Sequence, residues 1–355
     1  MSAAEAAIGE WRERVLAAAG RGTALRLRGA GTKDFYGETL TGDILELSAH
    51  RGIVSYEPSE LVMSVRCGTP LSQIERELAQ AGQFLAFEPP LFGADPTIGG
   101  VIAAGLSGPR RMYAGAARDF VLGARLLDAR GDLLRFGGEV MKNVAGFDVS
   151  RLLCGSLGVL GIITEVSLKV LPLPRVEATL QLELPAAAAV QTFNRLAGEP
   201  LPLSAAAWSA GIARVRLSGA APAVRAARAR IGGELLEEAS AHAWWQGLRD
   251  CTLPFFAAPS LWRVSLPATA VSLSLGPEPL IDWGGALRWY AGLAPGIDVR
   301  AQARAAGGTA LHWRGAAPGQ HFHPLSASSR ELHRRLKARF DPPGIFNRER
   351  LIVGM

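Results

Sequence analysis

Four stretches of nearly side-chain-free backbone punctuate the first half of this chain: Arg28-Gly29-Ala30-Gly31-Thr32-Lys33, Asp95–Gly108, Met141–Gly146 and Gly155–Gly161. Glycine adopts turn conformations closed to other residues and lets another backbone or a ligand approach closely. Consecutive backbone N–H groups in such turns form concave anion sites. One such cluster needs no more than a turn or tight packing to account for it. Four in one half point to a flat, doubly phosphorylated coenzyme gripped from several sides. The Arg28–Lys33 loop then supplies turn glycines and the Thr32 hydroxyl for a phosphate. Thr97-Ile98-Gly99-Gly100, with Gly105 and Ser107, repeats that chemistry. Gly158 and Gly161, beside Ile162 and Ile163, form a slot for an aromatic ring. The G-x-G-x-x-G spacing at a strand-to-helix turn is absent, which disfavours an ordinary Rossmann domain.

A length of 355 residues suggests two domains, or one large domain with an insertion. With 48% hydrophobic and 20% charged residues the chain can bury a sizeable core, which excludes wholesale disorder. No apolar run approaches the ~20 residues of a membrane span. The opening segment carries Glu5, Glu10 and Glu13 and reads as an amphipathic helix, not a signal peptide. Cys67, Cys154 and Cys251 lie far apart without a CxxC, so no disulfide framework, zinc site or iron–sulfur site is expected from this chain alone. The expected location is cytoplasmic. The net charge of +6 is carried mostly by scattered arginines, and no nucleic-acid-binding module accompanies them. From Ser326 onward basic residues outnumber acidic ones, which reads as a solvated helix face or a docking surface for an acidic partner.

The pattern predicts strands at Leu25–Leu27, Ile44–Leu47, Leu61–Val65, Phe84–Phe87 and Ile162–Leu171, and a hairpin joining Val121–Asp128 to Leu133–Phe136. Pro70 opens a helix whose Leu71, Ile74 and Leu78 share a face and which Gly82 stops. Beyond Pro172 the character changes: alanine stretches and seven of the eight tryptophans fall between Arg175 and about Gly319. This predicts a second domain of helices and an antiparallel sheet. A last helix, Ser329–Arg339, aligns Leu332, Leu336 and Phe340.

Several motifs match a known family. R-G-A-G-T-K (Arg28–Lys33), Y-E-P (Tyr56–Pro58), L-V-M-S-V-R-C-G-T-P-L (Leu61–Leu71) and D-P-T-I-G-G (Asp95–Gly100) are joined by R-D (Arg118-Asp119), K-N-V-A-G-F-D (Lys142–Asp148) and G-S-L-G-V-L-G-I-I-T-E-V (Gly155–Val166). F-D-P-P-G-I-F-N (Phe340–Asn347) closes the set. This half resembles the FAD-binding domain of the vanillyl-alcohol oxidase and p-cresol methylhydroxylase superfamily, and within it the FAD-binding subunits of bacterial glycolate oxidases. The resemblance implies an α+β fold: a two-subdomain PCMH-type FAD-binding domain over residues 1–174, a cap domain of antiparallel sheet plus helices over 175–325, and a return of 326–355 to the first domain. It implies a diphosphate on Gly29–Thr32 and Thr97–Gly100, a ring edge against Gly158–Ile163, and Asn347 closing the site. Relatives that bind flavin covalently use a histidine or cysteine near the first loop or in the cap. The first loop has neither, so FAD is expected to be non-covalent.

Oxidising a 2-hydroxy acid needs a cation for the carboxylate, a base for the hydroxyl proton and a positive group near the flavin pyrimidine edge. Arg110, Arg111, Arg118 and Lys142 are the candidate cations, with a structural ion pair the favoured role for Arg118-Asp119. His312 is a weak candidate base, set on an apolar run where a buried core histidine is commoner. His321-Phe322-His323 has strand spacing but no neighbouring carboxylate, a poor metal site. The H-x-G-D-G-N-x-H motif of related catalytic flavin subunits and D-lactate dehydrogenases is absent. The flavin site therefore reads as complete and the substrate site does not. The expected function is the FAD-binding subunit of an oxidase converting glycolate to glyoxylate. Its expected partners are a catalytic FAD subunit and an iron–sulfur subunit, with peripheral membrane association through them. A self-sufficient FAD oxidoreductase and a structural subunit with a vestigial flavin site are the alternatives.

Overall fold

The computed structural model describes residues 3–93, 95–138, 148–315 and 320–355. Two compact units account for them: Met1–Leu106, Ala116–Leu173 and Pro324–Met355 in the first, Ser107–Gly115 and Pro174–His323 in the second. In chain order the first unit begins α1 (Ala3–Arg21), β1 (Leu25–Arg28), β2 (Asp43–Glu46), β3 (Ile53–Glu57), β4 (Val62–Arg66), α2 (Leu71–Gln80), β5 (Gln83–Phe84) and α3 (Ile98–Ala104). The short α4 (Arg111–Ala114) falls in the second unit. The first unit resumes with β6 (Val121–Leu127), β7 (Leu133–Gly137), α5 (Val149–Leu153), β8 (Ile162–Lys169) and β9 (Leu171–Pro172).

Helix α2 forms where the sequence predicts it: Pro70 has φ −61 at its N-cap, Leu71, Ile74 and Leu78 are buried, and Gly82 takes φ 66 just beyond its end. A five-stranded antiparallel sheet runs in the order β3-β4-β8-β6-β7. Its central strand β8 is buried on both faces, whereas edge strand β7 alternates between exposed and half-buried positions. Strands β1 and β2 form a separate parallel pair, and β5 pairs with β9. Trp11, Val15 and Ala18 of α1 pack with Leu25, Leu45, Cys67, Ile345 and Phe346 into one core cluster.

The second unit contains β10 (Val176–Glu183), α6 (Ala186–Ala197), β11 (Leu203–Ser209), β12 (Ile212–Gly219), α7 (Ala221–Ile231), β13 (Glu234–Leu236), α8 (Glu238–Arg249), β14 (Leu261–Ser265), β15 (Leu280–Asp282), β16 (Leu287–Ala291), α9 (Val299–Ala305) and β17 (Thr309–Arg314). Its strands make one antiparallel eight-stranded sheet, ordered β13-β10-β12-β11-β15-β16-β14-β17. Phe193, Trp208, Val215 and Ile281 anchor its larger core cluster. The closing helix α10 (Ala327–Phe340) belongs to the first unit.

Four local expectations need correction. The strand expected over Phe84–Phe87 is only Gln83–Phe84, with Leu85–Phe87 continuing as buried irregular chain. The long strand to Leu171 breaks after Lys169, because Leu171–Pro172 leaves to pair with β5. His321–His323 is not a strand. It runs beside β17, where His312 N–H donates to His321 O at 2.8 Å and Ala310 N–H donates to His323 Nδ1 at 3.2 Å. Finally, α10 leaves Leu332 67% exposed and buries Lys337 at 5%. The apolar stripe is thus not the face this helix buries, because the ammonium finds a full set of acceptors inside.

Candidate flavin site

In the first unit an open cleft is lined by the loop after β1, the start of α3, the Leu157–Gly161 turn and the segment after α10. Of the residues singled out from sequence, Arg28, Gly29, Ala30, Gly31, Thr32, Lys33, Thr97, Gly99, Gly100, Gly158, Gly161, Ile163 and Asn347 line it.

The first loop is the open grip. Among the described residues, the backbone N–H groups of Gly29, Ala30, Gly31 and Thr32 meet no acceptor in the protein. Gly31 sits at φ 74, and a Cβ there would lie 2.6 Å from the Arg28 guanidinium. Arg28 in turn reaches Asp34 at 3.2 Å and Glu46 at 3.5 Å. Arg350 holds the far side of the loop, donating to the carbonyls of Lys33 (3.0 Å), Asp34 (2.9 Å) and Glu38 (3.1 Å). Burial pulls the Arg350 pKa down to about 10, so the guanidinium keeps its charge at neutral pH. Lys33 stands over the Phe92 ring at 5.6 Å.

The second stretch differs from expectation. Thr97–Gly100 is not a loop repeating the first but the capped start of α3, and its N–H groups are taken up internally. Ile98 N–H donates to Thr69 O (2.9 Å), Gly99 N–H to Cys67 O (2.8 Å) and Gly100 N–H to Thr97 Oγ1 (3.3 Å). Glycine is needed at position 99 for close approach, since a Cβ would meet Cys67 Cβ at 2.7 Å and Cys67 O at 2.9 Å. This stretch forms a wall of the cleft.

The third stretch turns through left-handed backbone at Leu157 (φ 51) and Gly158 (φ 72). Asn347, itself at φ 38, clasps it: its Nδ2 donates to Leu157 O at 2.6 Å, and its Oδ1 accepts from Leu27 N–H at 2.7 Å. A non-glycine residue with positive φ is uncommon, and two bonded to each other in the lining of one cleft are the kind of local strain that collects at functional sites.

The remaining expected contacts lie elsewhere. Ile98 and Ile162 are fully buried in the core. Gly105 caps α3 and packs on Gly155, where a Cβ would meet Gly155 N at 2.8 Å. Ser107 belongs to the second unit. Arg118 and Asp119 are exposed on a short 3-10 turn, where Asp119 accepts from Ala116 N–H at 2.8 Å. The described catalytic candidates Arg110, Arg111 and His312 belong to the second unit and are not among the cleft's lining residues. Arg110 is buried and committed to Glu177 (2.6 Å) and Ser218 (3.1 Å) within the second unit. Arg111 stacks on Trp283 at 4.1 Å. His312 packs between Trp262 and His321 with its pKa lowered, chiefly by burial. Lys142 and Met141–Gly146 lie outside the described residues.

Sequence reasoning missed Cys67, Asp34, Leu157 and Arg350 as lining residues. Cys67 is 2% exposed, and burial pushes its thiol up to about 12. Asp34 is the one carboxylate among the described lining residues, and Arg26 and Arg28 both engage it. No described lining residue is a histidine. Among the described lining residues the cleft therefore holds anion donors and cations, and its one carboxylate, Asp34, is taken up by Arg26 and Arg28.

Comparison with known proteins fits this geometry. A family model described as an FAD binding domain matches residues 7–137. Glycolate oxidase subunit GlcE of Escherichia coli (strain K12) is 46% identical over 330 residues, which cover 93% of this chain and 93% of that protein. The chain belongs to the GlcE family of glycolate oxidase subunits. Glycolate oxidase subunit GlcD of Bacillus subtilis (strain 168) is 36% identical over 155 residues, 43% of this chain and 33% of that protein. A solved alkyldihydroxyacetonephosphate synthase superposes with a TM-score of 0.64 at 14% identity, covering 95% of this chain and 73% of that one. At that identity the likeness shows the fold: a PCMH-type FAD-binding domain with a second domain of antiparallel sheet and helices. The cofactor of this GlcE-family chain is FAD. The cleft fits it on its own terms, with consecutive unpartnered N–H groups, adjacent Arg28 and Lys33, and glycines where closer packing needs them.

Proposed function

We propose that this chain is the FAD-holding, electron-carrying subunit of a glycolate oxidase and works in a complex whose other subunits complete the chemistry. The observation that carries this reading is the cleft's division of labour. It offers four successive N–H donors at Gly29–Thr32 and no described base. Gly29–Thr32 would bind the diphosphate oxygens, with Arg28 and Lys33 neutralising their charge. Asn347 and the Leu157–Gly158 turn would orient the ring end. Non-covalent attachment is supported at the cleft by its lining: Cys67 is buried with its thiol pushed up to about 12, and no described lining residue is a histidine.

Bound FAD would supply a two-electron acceptor, and oxidation of glycolate to glyoxylate releases two electrons and two protons. The catalytic base and the substrate cation would come from a partner flavin subunit, and an iron–sulfur partner would take the electrons onward. Among the described residues no helix is long and apolar enough to cross a membrane, so any membrane contact would run through those partners.

The test is the visible flavin spectrum of the purified chain, before and after anaerobic glycolate, alone and with its co-expressed partners. A yellow chain that bleaches only with the partners present is the expected result. Bleaching by the chain alone would make it a self-sufficient oxidoreductase. A colourless chain that refuses added FAD would make the flavin site vestigial.

A further inference from the structure

Helix α10 buries a lysine in preference to its leucines, and the partners of that lysine connect it to the cleft. The Lys337 ammonium has three N–H donors and makes three contacts: Val159 O at 2.7 Å, Phe346 O at 2.7 Å and Asp341 Oδ2 at 2.6 Å. Asp341, 1% exposed, accepts in turn from Ile345 N–H at 3.0 Å and Phe346 N–H at 2.8 Å. Val159 follows Gly158 and Phe346 precedes Asn347, so both carbonyls held by the ammonium adjoin cleft-lining residues. Asn347 then bonds Leu27 and Leu157. One buried cation is thus linked through two backbone steps to three walls of the cleft.

We infer that Lys337 is a positioning residue of the flavin site, fixing the Gly158 turn and Asn347 in the geometry that receives FAD. The inference rests on the reading of this cleft as the flavin site. A buried ion pair is a weak source of net stability, because desolvation offsets much of the attraction. Burial lowers the pKa of Lys337 while Asp341 opposes that shift. What the pair provides is direction: apart from the bond between them, ammonium and carboxylate aim every bond at the backbone of Val159, 178 residues from Lys337 in sequence, and of Ile345 and Phe346. Methionine at 337 would keep the length of the side chain and release both carbonyls together.

The experiment compares Lys337→Met with Leu78→Ala, a core change in α2 that is not among the cleft's lining residues. FAD is removed from the full-length chain, its rebinding is followed by quenching of flavin fluorescence, and the thermal midpoint of each FAD-free protein is recorded. K337M is expected to weaken FAD binding by about tenfold or more, as loss of a supporting contact does at other preorganised sites. L78A is expected to lower the midpoint and leave the dissociation constant unchanged. Wild-type affinity in K337M, or equal weakening in both variants, overturns the inference. A wild-type chain that takes up no FAD overturns the flavin reading instead. If K337M does not accumulate folded, hydrogen exchange on the wild-type chain decides. FAD is expected to protect 157–160 and 345–347 together, and protection of neither segment, or of one alone, overturns the coupling.

Discussion

At the lip of the first unit's cleft, four consecutive N–H groups stand without partners and the backbone turns left-handed at Gly31, Leu157, Gly158 and Asn347. In the second unit three buried indoles are hydrogen-bonded. Trp208 Nε1 donates to Leu184 O at 2.7 Å, Trp245 Nε1 to Thr179 Oγ1 at 2.9 Å and Trp283 Nε1 to Gly108 O at 3.0 Å. Arginines cover aromatic faces there, with Arg214 over Trp244 at 4.4 Å and Arg216 over Trp245 at 4.9 Å. A region that leaves polar backbone unpaired and tolerates strained dihedrals is built to receive something. A region whose indoles are bonded or stacked and whose rings interlock is built to keep its shape. The contrast fits the proposed capture of the cofactor by the first unit.

The sharpest way to break this contrast is Gly99→Trp. An indole cannot fit where a bare Cβ would already lie 2.7 Å from Cys67 Cβ, and the side chain would project into the cleft wall. Loss of essentially all bound flavin, read as the ratio of visible to ultraviolet absorbance, is expected. Normal flavin content would remove Thr97–Gly100 from the site. Next in size is Trp245→Ala, which empties a large core position and strands Thr179, at about 3–5 kcal/mol. Chemical denaturation should register that loss while the folded fraction keeps its full flavin complement. A matching fall in flavin content would show that the two units do not divide their roles this way.

The smallest effect concerns pH. His312 and His323 have pKa values lowered, chiefly by burial, with positive neighbours adding to the shift. The unfolded chain binds their protons more readily than the folded one, so stability rises with pH across the range just below their ordinary value of ~6.5 and falls on acidification. Thermal midpoints at successive pH values between neutrality and mild acid should show that slope, and His312→Phe should reduce it. An unchanged slope in that variant would remove His312 from the effect.

How much of this could be read from the chain follows from what each feature depends on. The glycine turns at Gly29–Gly31 and Gly158 are legible because a conformational demand is local, and glycine answers it in sequence. Helix α2 is legible for the same reason, in Pro70 and a one-sided apolar face. The role of Thr97–Gly100 was half legible: its small residues announced close approach, but the partners of its N–H groups, Cys67 and Thr69, lie some thirty residues back, and nothing local shows them. Arg350 and Lys337 were illegible. Their acceptors are backbone carbonyls 317 and 178 residues away, which carry no side-chain signature. The leucine spacing of α10 misled, because periodicity records what a helix could bury and not which of its faces the fold turns inward.

The parallel bridge between Leu25 and Phe346 has a consequence for biosynthesis. Leu25 N–H donates to Ile345 O at 2.7 Å and Asn347 N–H to Leu25 O at 2.9 Å, so Ile345–Asn347 lies alongside β1 as an added strand. The ribosome delivers that strand after every residue of the second unit. The wall of the cleft that Asn347 clasps is therefore finished only once the whole of the second unit has been translated.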